Sequence, residues 1–269
     1  MASLSRRAVL AGAAALAACR PAPAVTPAFA GAMVEVEGVP IHLVRSGRGR
    51  PLVLIHGASG NLNDMTFRLA PALADRFEVI AVDRPGHGRS YGGSVALAWA
   101  VAAPGSVAAL VLLATPSQVW EGGLGLTNDL LASPLTGPAL AWSVPRLVTD
   151  RFAERTLATV FAPQAPPGGY LDHLDLSLIL QPASLRENAR QLVALKEELR
   201  PMVPAYPRLP MPIALVHGDA DTTVGLDIHS RPFARQVPHA RLAVLPGIGH
   251  MLHQVAAPEV VGGIRAVAG

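Results

Sequence analysis

Residues 77–93 read FEVIAVDRPGHGRSYGG. Phe77 to Val82 (FEVIAV), apolar but for Glu78, stops at Asp83 and reads as a buried strand. Pro85-Gly86-His87-Gly88 then reads as a loop. Gly88-Arg89-Ser90-Tyr91-Gly92 is a G-x-S-x-G pattern, and Ser94 to Ala102 is helical in composition. Glycines flank a serine in this way where a sharp strand-to-helix turn leaves no room for neighbouring side chains. Such a turn lifts the hydroxyl above the sheet and sets the next backbone N–H at the helix start. In a chain with 25 glycines the pattern is weak alone, so its context decides.

Outward from this stretch the chain alternates strands and helices. Met33 to Glu37 and Ile41 to Arg45 alternate around Gly38 and predict an opening hairpin. Pro51 to Ile55 (PLVLI) is a buried strand feeding the loop His56-Gly57. Asn63 to Ala74 predicts a helix, and Val107 to Ala114 (VAALVLLA) another strand. Ile213 to Val216 (IALV) and Arg241 to Leu245 are the last strands, and Pro258 to Val267 closes with a helix. This order implies an α/β fold with a mainly parallel sheet and helices on both faces. Residues 117–210 break it with Pro/Gly punctuation, two of the three tryptophans and helical segments such as Arg186 to Leu199. They are expected to form an inserted helical cap, the core being 33–116 and 211–269. Trp120, Trp142, Tyr170 and the methionines are expected to pack that cap.

Two more polar sites follow strands. His217-Gly218-Asp219-Ala220-Asp221 follows IALV, and Gly247-Ile248-Gly249-His250 follows the last strand. A serine hydroxyl needs a base within hydrogen-bond reach, and a histidine base needs a carboxylate to fix its tautomer. Ser90, His250 and Asp221 fit those roles in the chain order Ser…Asp…His. Asp219 competes with Asp221, and His253 with His250. His56, His87 and His217 sit at loop mouths and read as turn or supporting residues, and Ser94 as structural. No H-E-x-x-H, paired cysteine or metal cluster is present in the sequence, so neither metal nor other cofactor is expected.

Together His56-Gly57-Ala58-Ser59-Gly60, Asp83-Arg84-Pro85-Gly86-His87-Gly88, Ser90-Tyr91-Gly92-Gly93, Gly218-Asp219-Ala220-Asp221 and Gly249-His250 resemble the α/β-hydrolase superfamily, in its branch with an inserted cap. The resemblance runs from about Met33 to the end. It implies a serine hydrolase of small ester-like or related acyl substrates, with Ser90 as nucleophile, His250 as base and Asp221 as acid. It also implies an oxyanion hole built from the backbone N–H groups of Ala58 and Tyr91. In the family, Asp three residues after the Gly carries the acid role, which favours Asp221. A dehalogenase would need a carboxylate at the elbow, where this chain has Ser90, whereas a cofactor-free haloperoxidase shares the serine triad.

The sequence departs from the family at one place. Only seven positions separate Asp83 from Ser90, where relatives place a helix and another central strand. A parallel crossover needs a dozen or more residues, so one strand and one helix are expected to be missing. The gap should open between PLVLI and VAALVLLA. Either FEVIAV takes the vacant slot and presents Ser90, or it keeps its own slot and Ser90 sits on a stretched loop. A second class of function follows from the latter: a non-catalytic or defective hydrolase-like protein.

The N-terminus reads as an export signal. Arg6-Arg7 precedes the apolar run Ala8 to Ala18, a twin-arginine pattern too short to span a bilayer. Leu16-Ala17-Ala18-Cys19 resembles a bacterial lipobox with Cys19 as the lipidated residue, and residues 1–32 then form signal and tether. Ala28-Phe29-Ala30 offers a competing cleavage site. Export to the periplasm or cell envelope, with membrane attachment through lipid, is the expectation. Cys19 is the single cysteine, so no intrachain disulfide is possible. Without Arg6 and Arg7 the charge of +3 falls to about +1, and no basic block remains to bind nucleic acid. A small-molecule substrate is the expected partner, and oligomeric state is not legible.

Overall fold

The computed structural model describes residues 31–36, 38–58, 60–83 and 92–268. Cys19, Ser90 and Tyr91, together with residues 84–89, lie outside the described residues. Strands β1 (Ala32–Val36) and β2 (Val39–Ser46) form the antiparallel hairpin expected around Gly38, which has φ +78°. β2 pairs antiparallel with β4 (Phe77–Val82), and β4 pairs parallel with β3 (Arg50–Ile55). A second sheet holds β5 (Leu110–Leu113), β6 (Ile213–Gly218) and β7 (Arg241–Leu245), all parallel.

The orders are β1-β2-β4-β3 and β5-β6-β7, so among the described residues β3 and β5 are both edges, with no hydrogen bond between them. Among the described residues no strand lies between β4 and the next helix. The gap expected between PLVLI and VAALVLLA is there, and β4 keeps its own place beside β3 instead of filling it. β6 is buried at all six positions, as a central parallel strand must be. β5 is shorter than the run Val107 to Ala114 suggested, because Pro104–Ser106 forms a 3-10 turn and pairing starts only at Leu110.

Helices supply what the missing ladder does not. The predicted helix Asn63 to Ala74 is broken at Arg68 (φ −128°) into α1 (Leu62–Phe67) and α2 (Leu69–Leu73). α3 (Gly92–Ala102) is the next helix, and α10 (Ser230–Gln236), α11 (Leu252–Val255) and α12 (Ala257–Ala268) complete the C-terminal half. One apolar cluster draws on both sheets: Leu54, Val79 and Ala81 from the first, Val216 from the second, and Val260 and Ile264 from α12. Between β5 and β6 run α4 (Leu126–Ala132), α5 (Gly137–Leu147), α6 (Asp150–Phe161), α7 (Tyr170–Leu174), α8 (Leu176–Ile179) and α9 (Pro182–Met202). Tyr170 is buried there against Phe67 and Phe161. Trp142 differs from its expected packing role: it is 47% exposed, with the Arg146 guanidinium stacked 3.5 Å from its ring. No helix among the described residues is long and apolar enough to cross a membrane.

Two consecutive glycines set α3 in place. A Cβ at Gly92 would lie 2.2 Å from the Ile55 carbonyl oxygen, and one at Gly93 would lie 2.0 Å from Thr115 Oγ1. The first turn of α3 thus touches the carboxyl ends of both facing edges. Overpacking of this kind costs about 1–3 kcal/mol, so Gly92→Ala is expected to lower stability by that amount in urea unfolding. Gly105→Ala, with nothing within 4 Å of its added Cβ, is the control and should change stability by less than about 1 kcal/mol.

Candidate active site

Asp221 and His250 come from the loops after β6 and β7, and the chain folds each loop onto the other. The Gly247 N–H donates to Asp219 Oδ1 at 2.6 Å, and the Ala220 N–H to the Ile248 carbonyl at 3.0 Å. Gly247 has φ +69°, a left-handed turn that a glycine allows without strain. Gln164, after α6, donates to the Gly247 carbonyl at 2.6 Å and accepts from the Gly249 N–H at 2.9 Å. A Cβ at Gly249 would lie 2.1 Å from the Ala162 carbonyl oxygen. The histidine loop is therefore fixed from two sides.

This brings Asp221, not Asp219, to His250. His250 Nδ1 lies 2.8 Å from Asp221 Oδ2. A carboxylate only accepts, so Nδ1 carries the proton and Nε2 is left as the ring's acceptor. Asp221 Oδ1 accepts from the backbone N–H groups of Thr223 (2.8 Å) and Val224 (2.9 Å). His217 adds a contact that its place at a loop mouth only hinted at. It is fully buried, with Nε2 2.8 Å from the Val224 carbonyl and 3.2 Å from Asp221 Oδ2. Ser230 Oγ sits 2.7 Å from its Nδ1. Burial by itself raises the Asp221 carboxyl. Hydrogen bonds from His217 and His250, attraction to His250 and the Val224 N–H outweigh that and hold it well below the usual carboxylate range.

A cavity of about 1040 Å³ is lined by His250, Thr223, Ala58, Gly92 and Gly93 together. His250, the loop after β3 and the start of α3 therefore share one space. Ser94, which reads as structural, donates from Oγ to the Pro116 carbonyl at 2.7 Å. His56 is buried, with Nε2 3.7 Å from Asp83 Oδ1. Asp83 itself caps α1 by accepting from the Leu62 N–H at 2.7 Å and meets His42 Nδ1 at 2.8 Å. Among the described residues no group of three or more His, Cys, Asp or Glu side chains is placed to hold a metal ion.

The sequence reading missed Asp64. This buried carboxylate on α1 meets Tyr170 Oη (2.7 Å), His253 Nε2 (2.9 Å) and Gln254 Nε2 (2.8 Å). His253, the competitor for the base role, is taken up here and does not meet Asp221. Asp64 joins three parts of the chain: the helix after the oxyanion loop, α7 of the helical insertion, and α11, which starts two residues after His250. In the sequence Asp64 is one polar residue of a plausible helix, and its partners lie 106 to 190 positions away.

Burial raises the Asp64 carboxyl, but His253, Tyr170 and Gln254 together lower it to about 2 from an ordinary 3.8. A depressed carboxyl contributes stability above its unfolded value and loses it as pH falls through the folded one. The contribution should be complete above about pH 5 and disappear towards pH 2. Asp64→Asn is therefore expected to cost about 2 kcal/mol at pH 7 and to flatten the acid limb of the stability curve. Equal acid sensitivity of the two proteins in denaturant titrations from pH 2 to 7 would contradict the network.

A family model described as the alpha/beta hydrolase fold matches residues 50–91. The dihydrolipoyllysine-residue acetyltransferase component of the acetoin cleaving system of Pseudomonas putida is 28% identical, with 79% of this chain and 61% of that protein covered. This chain thus spans less than two thirds of that relative's length. The magnesium-chelatase 30 kDa subunit of Rhodobacter capsulatus is 29% identical over 80% of this chain and 85% of the subunit. Both alignments run over more positions, 253 and 256, than this chain contributes residues, so each relative holds segments without a counterpart here. Among solved structures, the esterase EaEST from Exiguobacterium antarcticum has a TM-score of 0.67 at 19% identity, covering 89% of this chain and all of that one. Sequence model and backbone agree with the order of strands, helices and loops described above: the chain has the α/β-hydrolase fold.

Proposed function

We propose that the protein is a serine hydrolase of small, apolar ester-like or related acyl substrates. The observation that carries this reading is the Asp221–His250 hydrogen bond at 2.8 Å, at the cavity that Ala58 and Gly92 also line. Ser90 is two residues before Gly92, and covalent geometry holds its Cα within about 7 Å of the Gly92 Cα. His250 Nε2 takes the Ser90 Oγ proton as Oγ attacks the substrate carbonyl carbon. The Ala58 and Tyr91 N–H groups stabilise the oxyanion, at roughly 3 kcal/mol per donor. His250 then protonates the leaving alcohol, and water attacks the acyl-enzyme by the same route in reverse. Asp221 stays ionised throughout, as its low pKa requires. The apolar lining of the cavity, with Leu54, Leu113, Leu174 and Ile179 among it, favours a neutral acyl group. The segment between β5 and β6 acts in this reading as the cap.

A second reading, a hydrolase-like protein without catalysis, is favoured by the break between β3 and β5, which do not pair with each other or, among the described residues, with a further strand. Export with lipid attachment at Cys19 remains part of the proposal. A mature N-terminus at Gly31, found by mass spectrometry of the protein from its native cell envelope, would rule the attachment out.

Hydrolysis of p-nitrophenyl butyrate separates the two functional readings. The proposal expects turnover that Ser90→Ala and His250→Ala each abolish and that Asp221→Asn lowers by about 10⁴-fold through the wrong His250 tautomer. Activity unchanged in Ser90→Ala would remove Ser90 as the nucleophile, and none in the folded wild type leaves the non-catalytic reading in its place.

A further inference from the structure

Residues 162–174 read APQAPPGGYLDHL and run from the end of α6 to the end of α7. Pro163, Pro166 and Pro167 fix φ in the stretch before α7, so ordering it costs less chain entropy than ordering a flexible loop. The two ends of the segment hold different parts of the candidate active site. At one end Gln164 spends both atoms of its amide on the loop after β7. Nε2 donates to the Gly247 carbonyl at 2.6 Å, and Oε1 accepts from the Gly249 N–H at 2.9 Å. The next residue is His250.

At the other end the segment meets the loop after β3 and the helix that follows it. The Leu174 carbonyl accepts from Asn61 Nδ2 at 2.7 Å, and Tyr170 Oη donates to Asp64 at 2.7 Å. Asn61 lies three residues after Ala58, and its Oδ1 caps α1 by accepting from the Asn63 N–H at 2.9 Å. Asn61, Asp64 and Tyr170 are buried, so each of these bonds is made away from water. Asp64 also meets His253 Nε2 at 2.9 Å. His250 is thereby bracketed, with Gln164 holding the chain before it and Asp64 the chain after it. A segment that swung away as a lid would break both sets of bonds. Tyr170, Leu171 and Leu174 line the cavity, whereas Gln164 is not among the described residues that do. Gln164 therefore reaches the substrate's space only through the loop that carries His250.

We propose that Gln164 is a positioning residue for hydrolysis. Through Gly247 and Gly249 it sets where His250 Nε2 stands relative to the Ala58 N–H, and residues 162–174 act as a fixed brace between those two loops. The inference rests on the hydrolase reading, because it assigns His250 the work of the base. It adds a role for the insertion beyond covering the cavity.

The test is Gln164→Met in the full chain, a change that keeps the length of the side chain and removes both bonds. A displacement of about 1 Å at a reacting group can cost about a hundredfold in rate. The folded variant is expected to hydrolyse p-nitrophenyl butyrate with kcat lowered between about tenfold and a hundredfold. KM should stay within about twofold of the wild type, since the lost contact does not touch substrate. Amide hydrogen exchange reads the contact without turnover, and the Gly249 amide should exchange at least about tenfold faster in the variant. Gln164→Glu, which keeps the acceptor for Gly249 and removes the donor to Gly247, is read in the same way and carries the test if Gln164→Met does not fold. Faster exchange at Gly249 with kcat unchanged would make the contact merely structural and overturn the proposal. So would unchanged exchange, or a raised KM at unchanged kcat. A wild type without Ser90-dependent turnover is a different failure: the hydrolase reading falls and takes this role with it, whatever the exchange at Gly249.

Discussion

A parallel crossover needs a dozen or more residues, and only eight separate Asp83 at the end of β4 from Gly92 at the start of α3. The rest of the architecture answers to that shortage. With no strand to carry the ladder across, the sheet stays in two parts, and side-chain packing replaces backbone hydrogen bonds as the joint. Leu54 and Val79 on one side share a core with Val216, Val260 and Ile264 on the other. Each such side chain contributes about 1.5–3 kcal/mol on burial, so a few of them offset a good part of the lost ladder. The glycine pair at 92 and 93 lets α3 settle against both edges at once, which neither residue could do with a side chain.

Two buried carboxylates then organise the space above the sheet. Asp221 holds His250 in one tautomer, with His217 and two backbone N–H groups behind it. Asp64 ties the helical insertion to α1 and to the segment that follows His250. Both are held below the ordinary carboxylate range by their donors despite burial. Buried acids of this kind stay ionised only because each finds several donors. The two networks meet through α11, since His250 and His253 lie three residues apart. The positions of His250 and of the insertion are coupled by that short piece of chain.

Much of this was readable from local pattern. Runs that are mostly apolar and end in His-Gly or Asp marked the buried strands, because a strand covered on both faces has little polar face to show. The spacing Gly218 to Asp221 favoured the acid that meets His250, with Asp219 turned to the Gly247 N–H instead. The short linker from Asp83 exposed the missing ladder by length alone. What stayed hidden depends on tertiary context. The Asp64 network joins residues far apart in the chain, and no local signal links Tyr170 to His253. The break at Arg68 and the late start of β5 are set by packing and not by propensity. Trp142 looked like a core residue by type, yet a surface cation–π contact with Arg146 suits it equally.

The claim at the centre of this account is that Ser90, His250 and Asp221 act as one unit across an incomplete sheet. Mass spectrometry of the full chain after reaction with a fluorophosphonate tests it most directly. The account predicts a single adduct on the peptide that contains Ser90, lost in His250→Ala while the variant remains folded. No adduct on the folded wild type, or an adduct on another residue such as Ser94, would contradict it.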